Sequence, residues 1–115
     1  MQVVEKAKKE NKYVLVNIQD VSEFDCQRLN RDTWSDLELQ RLVSQNFKFW
    51  QGGPHLTLMY CNFHPIDAYP HIAALDPITG QRMWYWEGWI GPQDLYDKCI
   101  SISNMKLIYF SKSIP

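Results

Sequence analysis

Val14-Leu15-Val16-Asn17-Ile18-Gln19, followed after a short polar gap by Glu23-Phe24-Asp25-Cys26, is the stretch on which the fold turns. Its first part is an almost unbroken β-branched and apolar run, the pattern of a strand covered on both faces, so Tyr13 to Ile18 is predicted to be a central strand. Its second part opens a helical pattern over Ser22 to Trp34, with Ser22 as a cap and Phe24 and Leu29 as spaced apolar contacts. Asn30-Arg31-Asp32 is expected to break that run. Upstream, Gln2 to Asn11 reads as a short amphipathic helix with its lysines in water.

Downstream, Ser35 offers a new cap with Glu38 three residues on, a capping box that predicts a helix from about Asp36 to Gln45. Phe47-Lys48-Phe49-Trp50 reads as a short aromatic strand ended by Gly52-Gly53-Pro54, with a weak helical segment from His55 to Phe63 behind it. His71-Ile72-Ala73-Ala74-Leu75 is a third strand, closed by the hairpin signal Asp76-Pro77-Ile78-Thr79-Gly80 and paired back onto Met83 to Glu87. Gly91-Pro92 opens a last helix with Leu95, Tyr96, Cys99, Ile100 and Ile102 on one face. Parallel strands before an antiparallel pair, with helices between, give an α/β three-layer sandwich with a mixed sheet of about four strands.

Composition narrows the classes of function. The chain has 115 residues, about one domain's worth, with 45% hydrophobic and 22% charged residues, which excludes intrinsic disorder. Twelve basic against thirteen acidic side chains leave a net charge of -1, so nothing draws the chain to nucleic acid or anionic lipid in general. No apolar stretch approaches the ~20 residues that cross a bilayer. Three cysteines, Cys26, Cys61 and Cys99, fit neither a disulfide framework nor paired zinc ligands. That points to a reducing compartment, the nucleus or the cytoplasm.

The order of elements resembles the thioredoxin-like fold. Tyr69-Pro70 precedes the third strand where that fold carries a cis proline, so the resemblance implies a cis bond at Pro70, and Gly88 follows the fourth strand. Glu23-Phe24-Asp25-Cys26 then falls on the Cys-x-x-Cys position with only the second cysteine present, a degenerate redox site at Glu23 and Cys26. Dithiol exchange needs an attacking thiolate and a resolving thiol, so this pattern argues against an oxidoreductase. Taken with Leu29-Asn30-Arg31-Asp32-Thr33-Trp34-Ser35, Phe47-Lys48-Phe49-Trp50-Gln51, Tyr69-Pro70-His71-Ile72 and Leu75-Asp76-Pro77-Ile78-Thr79-Gly80, the stretch from about Glu5 to Ser103 resembles the UAS domain of ubiquitin-regulatory (UBX) adaptor proteins. The nearest subgroup also carries ubiquitin-associated and ubiquitin-interacting segments. The resemblance implies a UAS domain over 1–104 with a C-terminal tail over 105–115. It also implies a noncatalytic, cofactor-free protein-interaction role in ubiquitin-dependent extraction and proteasomal degradation driven by a hexameric AAA ATPase. The partners are expected to be proteins of that pathway, reached through other domains of the full-length protein, since the Phe-Pro turn by which UBX domains grip the ATPase is absent. Two stretches depart from the family: the usually charged segment before Pro70 is apolar here, Gly53 to Cys61, and Met105 to Phe110 lacks the acidic, polar continuation expected there and reads as a strand or a variant terminus.

Among single residues, Trp84, Trp86 and Trp89 are the candidate partner-binding surface. On a strand Trp84 and Trp86 point opposite to Met83, Tyr85 and Glu87, and at least one of the three tryptophans is expected to be exposed. That surface with the amino-terminal lysines is also the alternative site, for a long-chain fatty acid, an activity that some UAS domains have. Cys26 is expected to be a small buried hydrophobe rather than a reactive thiol. Cys61 and His64, with His71 and His55 nearby, have zinc-ligand chemistry without a convincing fourth member, and no metal is expected. Glu23 with Asp25 or Asp20 reads as a solvated helix start. Asn30 to Trp34 is expected to fix a junction between helices.

Overall fold

The computed structural model describes residues 2–52 and 54–113, with side chains over 4–52 and 54–105. The elements are α1 (Gln2–Glu10), β1 (Tyr13–Ile18), α2 (Phe24–Leu29), α3 (Leu37–Asn46), β2 (Phe47–Gly52), α4 (Pro54–Cys61), β3 (His71–Leu75), β4 (Arg82–Glu87) and α5 (Pro92–Ser113). One sheet in the order β2-β1-β3-β4 carries them, with β1 parallel to β2 and antiparallel to β3, and β3 antiparallel to β4. This is the α/β thioredoxin-like sandwich with a mixed four-stranded sheet.

The unbroken apolar runs explain the centre. Every residue of β1 and of β3 is buried, because helices cover both faces of these two strands. On one face Leu15, Ile72 and Ala74 meet Leu29, Leu39, Val43, Leu95 and Cys99 of α2, α3 and α5. On the other, Val14, Val16, Ile18 and Ala73 meet Ala7 of α1 and Leu56 and Tyr60 of α4. The Glu10 carboxylate reaches Lys48 at 2.6 Å and ties α1 to β2.

Four local expectations need correction. Asn30-Arg31-Asp32 does not break the helix: α2 runs straight into one wide turn of π-helix over Asn30–Trp34. Ser35 does not cap α3, because its hydroxyl is spent on the Arg31 carbonyl, and the cap is Asp36, whose Oδ2 accepts the Leu39 N–H at 2.9 Å. Ser22 does not cap α2 either: Glu23 holds the cap position, and the Ser22 hydroxyl donates to Asp20 at 2.7 Å. The backbone over Met105 to Phe110 continues α5 and is not a strand.

Candidate functional site

The registers Ile18 to His71 and His71 to Glu87 bring the exit of β1, the entry of β3 and the exit of β4 to one end of the sheet. Three connections converge there: 19–23, 65–70 and 88–91. The Tyr69-Pro70 peptide is cis, and the Gly88 N–H donates to the Pro70 carbonyl at 2.8 Å. Gly88 sits at φ +96°, in the left-handed region where a Cβ is costly. The Thr33 hydroxyl, on the wide turn, donates to the Ile90 carbonyl and binds the α2 side of the site to the 88–91 connection.

Glu23 stands at the start of α2, exposed and making no capping bond with its side chain. Cys26, one turn in, is 1% exposed, and its Sγ accepts the Asp20 N–H at 3.4 Å. Burial pushes the Cys26 thiol above its usual range, and the carboxylates of Asp20, Glu23 and Asp25 push the same way. A thiol so placed is a poor nucleophile at neutral pH. All three cysteines are free, and burial drives Cys99 up to about 12. Around Glu23 the surface is apolar, with Val21 89% and Phe24 66% exposed.

Behind this end lies a polar chain that sequence reading missed. Tyr60 Oη and His71 Nε2 are 2.7 Å apart, and His71 Nδ1 and Glu87 Oε2 are 2.9 Å apart. A carboxylate can only accept, so Nδ1 carries the proton and Nε2 accepts a hydrogen bond from the Tyr60 hydroxyl. Arg82 donates to Tyr60 Oη at 3.4 Å, and Glu87 also accepts the N–H groups of Asp67 at 2.9 Å and Ala68 at 3.3 Å. Burial lowers the His71 pKa against the opposing pull of Glu87, so the ring is neutral. Burial works to raise Glu87, but the bonds from His71, Asp67 and Ala68 outweigh it and hold the carboxyl below its ordinary range. The chain therefore pins the loop that carries Pro70.

The tryptophans are distributed differently from a simple alternation. Trp84 faces Ala74 and Leu75 faces Arg82, which leaves Met83 as the extra residue of a bulge, so Met83 and Trp84 both pack toward the α2/α3/α5 core, as does Trp89. Trp86 is 43% exposed. The α1 lysines lie across the sheet from these rings, on the face that α1 and α4 cover, so tryptophans and lysines do not form one acyl-binding surface. The cation that meets the cluster is Arg28, 4.7 Å from the Trp89 ring centre. Among the described residues no three His, Cys, Asp or Glu side chains gather as metal ligands. Cys61 and His55 are exposed, His64 contacts the Gly80 carbonyl at 3.1 Å, and His71 is committed to Tyr60 and Glu87. Asp20 accepts from Ser22 and Asp25 pairs with Arg28, so neither shares a pocket with Glu23.

The family model described as thioredoxin-like matches residues 2–77. The chain belongs to the thioredoxin-like family. It is 44% identical over 99 residues to the UBX domain-containing protein 7 homolog of Dictyostelium discoideum, covering 80% of this chain and 19% of that protein. It is 40% identical over 89 residues to the UBX domain-containing protein 5 of Saccharomyces cerevisiae, covering 71% of this chain and 17% of that protein. This thioredoxin-fold domain is thus homologous to UBX domain-containing proteins and spans about a fifth of their length. A thioredoxin from Thermus thermophilus superposes with a TM-score of 0.76 at 16% identity, covering 88% of this chain and 81% of that one, a likeness of fold.

Proposed function

We propose that this domain is a noncatalytic protein-interaction module, of the UAS type, in a UBX-type adaptor that serves ubiquitin-dependent protein extraction by an AAA ATPase. The observation that carries the reading is the lone sulfur at the loop end: Cys26 is buried, its thiol is pushed up, and Glu23 stands where a second cysteine would have to be. What the loop end offers instead is an apolar centre, Val21 and Phe24, rimmed by Asp20, Ser22 and Glu23, the anatomy of a protein-binding patch. Homology to UBX proteins supports the pathway. The test has two arms. Insulin reduction by the purified chain is expected at background, and turnover that vanishes in Cys26→Ser overturns the noncatalytic reading. Recovery of ubiquitin conjugates with the full-length adaptor is expected to fall in Val21→Ser/Phe24→Ser, and equal recovery removes the patch.

A second reading, binding of a long-chain fatty acid, is favoured by a cavity of about 600 Å³ at the opposite end of the sheet. Val4, Val14, Trp50, Met59, Phe63 and Leu75 line it. Oleate titration with Trp50 emission as the signal tests it; no change on addition rejects it.

A further inference from the structure

We propose that the cavity between α1, α4 and the turn joining β3 to β4 binds a primary amine with an apolar chain, the chain inside and the ammonium group on the Asp76 carboxylate. It rests on the second reading, an acyl chain in this cavity, and changes the head from carboxylate to ammonium.

The chain is accommodated by the walls. A volume of about 600 Å³ falls within the usual span of small-molecule sites, about 300–1,000 Å³. Val4 of α1, Val14 and Trp50 of the sheet, Met59 of α4 and Phe63 just after it make those walls apolar.

The head is decided by charge. Polar groups enter the lining from the turn, as Asp76, Thr79 and Gln81, and from Asn62 and His64 behind α4. Among the described lining residues there is no Lys or Arg, and Asp76 is the one carboxylate. An anionic head without a cation needs free N–H groups, and here the turn has spent them on itself. Asp76 Oδ1 accepts the N–H of Ile78 at 2.8 Å and of Thr79 at 3.3 Å. The Gly80 N–H goes to the Asp76 carbonyl at 2.8 Å, and the Gln81 N–H to Thr79 Oγ1 at 3.2 Å. His64 Nε2 donates to the Gly80 carbonyl at 3.1 Å.

Neighbouring cations are also committed elsewhere. Arg82 follows Gln81, but its guanidinium reaches Tyr60 Oη and the Pro65 carbonyl, both at 3.4 Å, and lies 3.8 Å from the Tyr85 ring centre. Lys48, opposite Val14 in the sheet, is paired with Glu10. A fatty carboxylate would therefore meet the Asp76 charge with nothing to offset it. An ammonium group carries three donors and no acceptor. Asp76 is half-buried, and its Oδ2 has no partner among the described residues, which leaves it open to a charge-assisted bond. The side-chain oxygens of Asn62 and Gln81, in the same lining, can accept the remaining protons.

Isothermal titration of the purified chain at pH 7 with decylamine, decanol and decanoate, each below its micelle concentration, tests the proposal. Decylamine, protonated at that pH, is expected to bind at least about tenfold more tightly than decanoate, with decanol between them. Asp76→Asn keeps an oxygen for the Ile78 and Thr79 N–H groups and deletes the charge. It is expected to bring decylamine to the level of decanol and to leave decanol unchanged. Met59→Trp, checked for folding by its far-ultraviolet spectrum, fills the cavity and is expected to weaken all three. Decanoate binding as tightly as decylamine, or decylamine binding indifferent to Asp76→Asn, overturns the choice of head while leaving the cavity a ligand site. Binding of none of the three, or binding untouched by Met59→Trp, overturns the cavity reading and the amine with it.

Discussion

His71 has no exposed surface and still keeps both ring nitrogens occupied, one by Tyr60 and one by Glu87. Such a chain is costly to break at any link, because a buried group left unpaired costs about 1–3 kcal/mol. Tyr60→Phe removes the hydroxyl that His71 Nε2 needs, and urea denaturation is expected to show a loss of about 1–3 kcal/mol. The pH dependence has a definite sign. The unfolded histidine binds its proton near 6.5 and the folded one only at lower pH, so stability is complete above that value and is lost as pH falls below it. Glu87 adds a second loss below 4.5, as pH falls through its lowered folded value. Melting temperature is therefore expected to drop from pH 7 to pH 5 and again toward pH 4; a level profile contradicts the neutral assignment. None of this was legible in the sequence. Tyr60, His71 and Glu87 stand 11 and 16 positions apart, and only the pairing of β3 with β4 and the packing of α4 join them. The absence of a dithiol, by contrast, could be read from Glu23 and Cys26 alone. Its counterpart in solution is thiol accessibility: Cys61 is expected to react with Ellman's reagent at once, and buried Cys26 and Cys99 only on unfolding.

At the scale of elements, β1 and β3 were the most legible, because an apolar run with no polar alternation leaves one solution, burial on both faces. The caps were less so. Ser35 and Asp36 are adjacent and both are good cap residues, and the choice was made by tertiary context, with Ser35 drawn back to Arg31. Asp36→Ala is expected to cost about 1 kcal/mol in thermal denaturation, and Ser35→Ala distinctly less. The bulge at Met83 was hidden for another reason. Strict alternation assigns Met83 and Trp84 to opposite faces, and only the register with β3 shows that one residue is supernumerary.

Across the whole molecule, the loop end is assembled from parts distant in the chain, and the Thr33 to Ile90 bond spans 57 positions to join two of them. Thr33→Val keeps the shape and deletes the donor. It is expected to cost about 1 kcal/mol and to speed amide exchange in 88–91 more than in β1. The architecture was legible from the order of helices and strands. Which surface remains for use was not, since it depends on how tryptophans divide between core and edge.

The wide turn at Asn30–Trp34 has a consequence for length. A ring closed from i to i+5 holds one residue more than the ordinary i to i+4 ring. Removing a single residue there, such as Arg31, whose exposed side chain pairs with its neighbour Asp32, lets the helix regain its regular pitch. The shortened chain then gains a smoother helix and swings Thr33 away from Ile90, trading local regularity for a slack loop end.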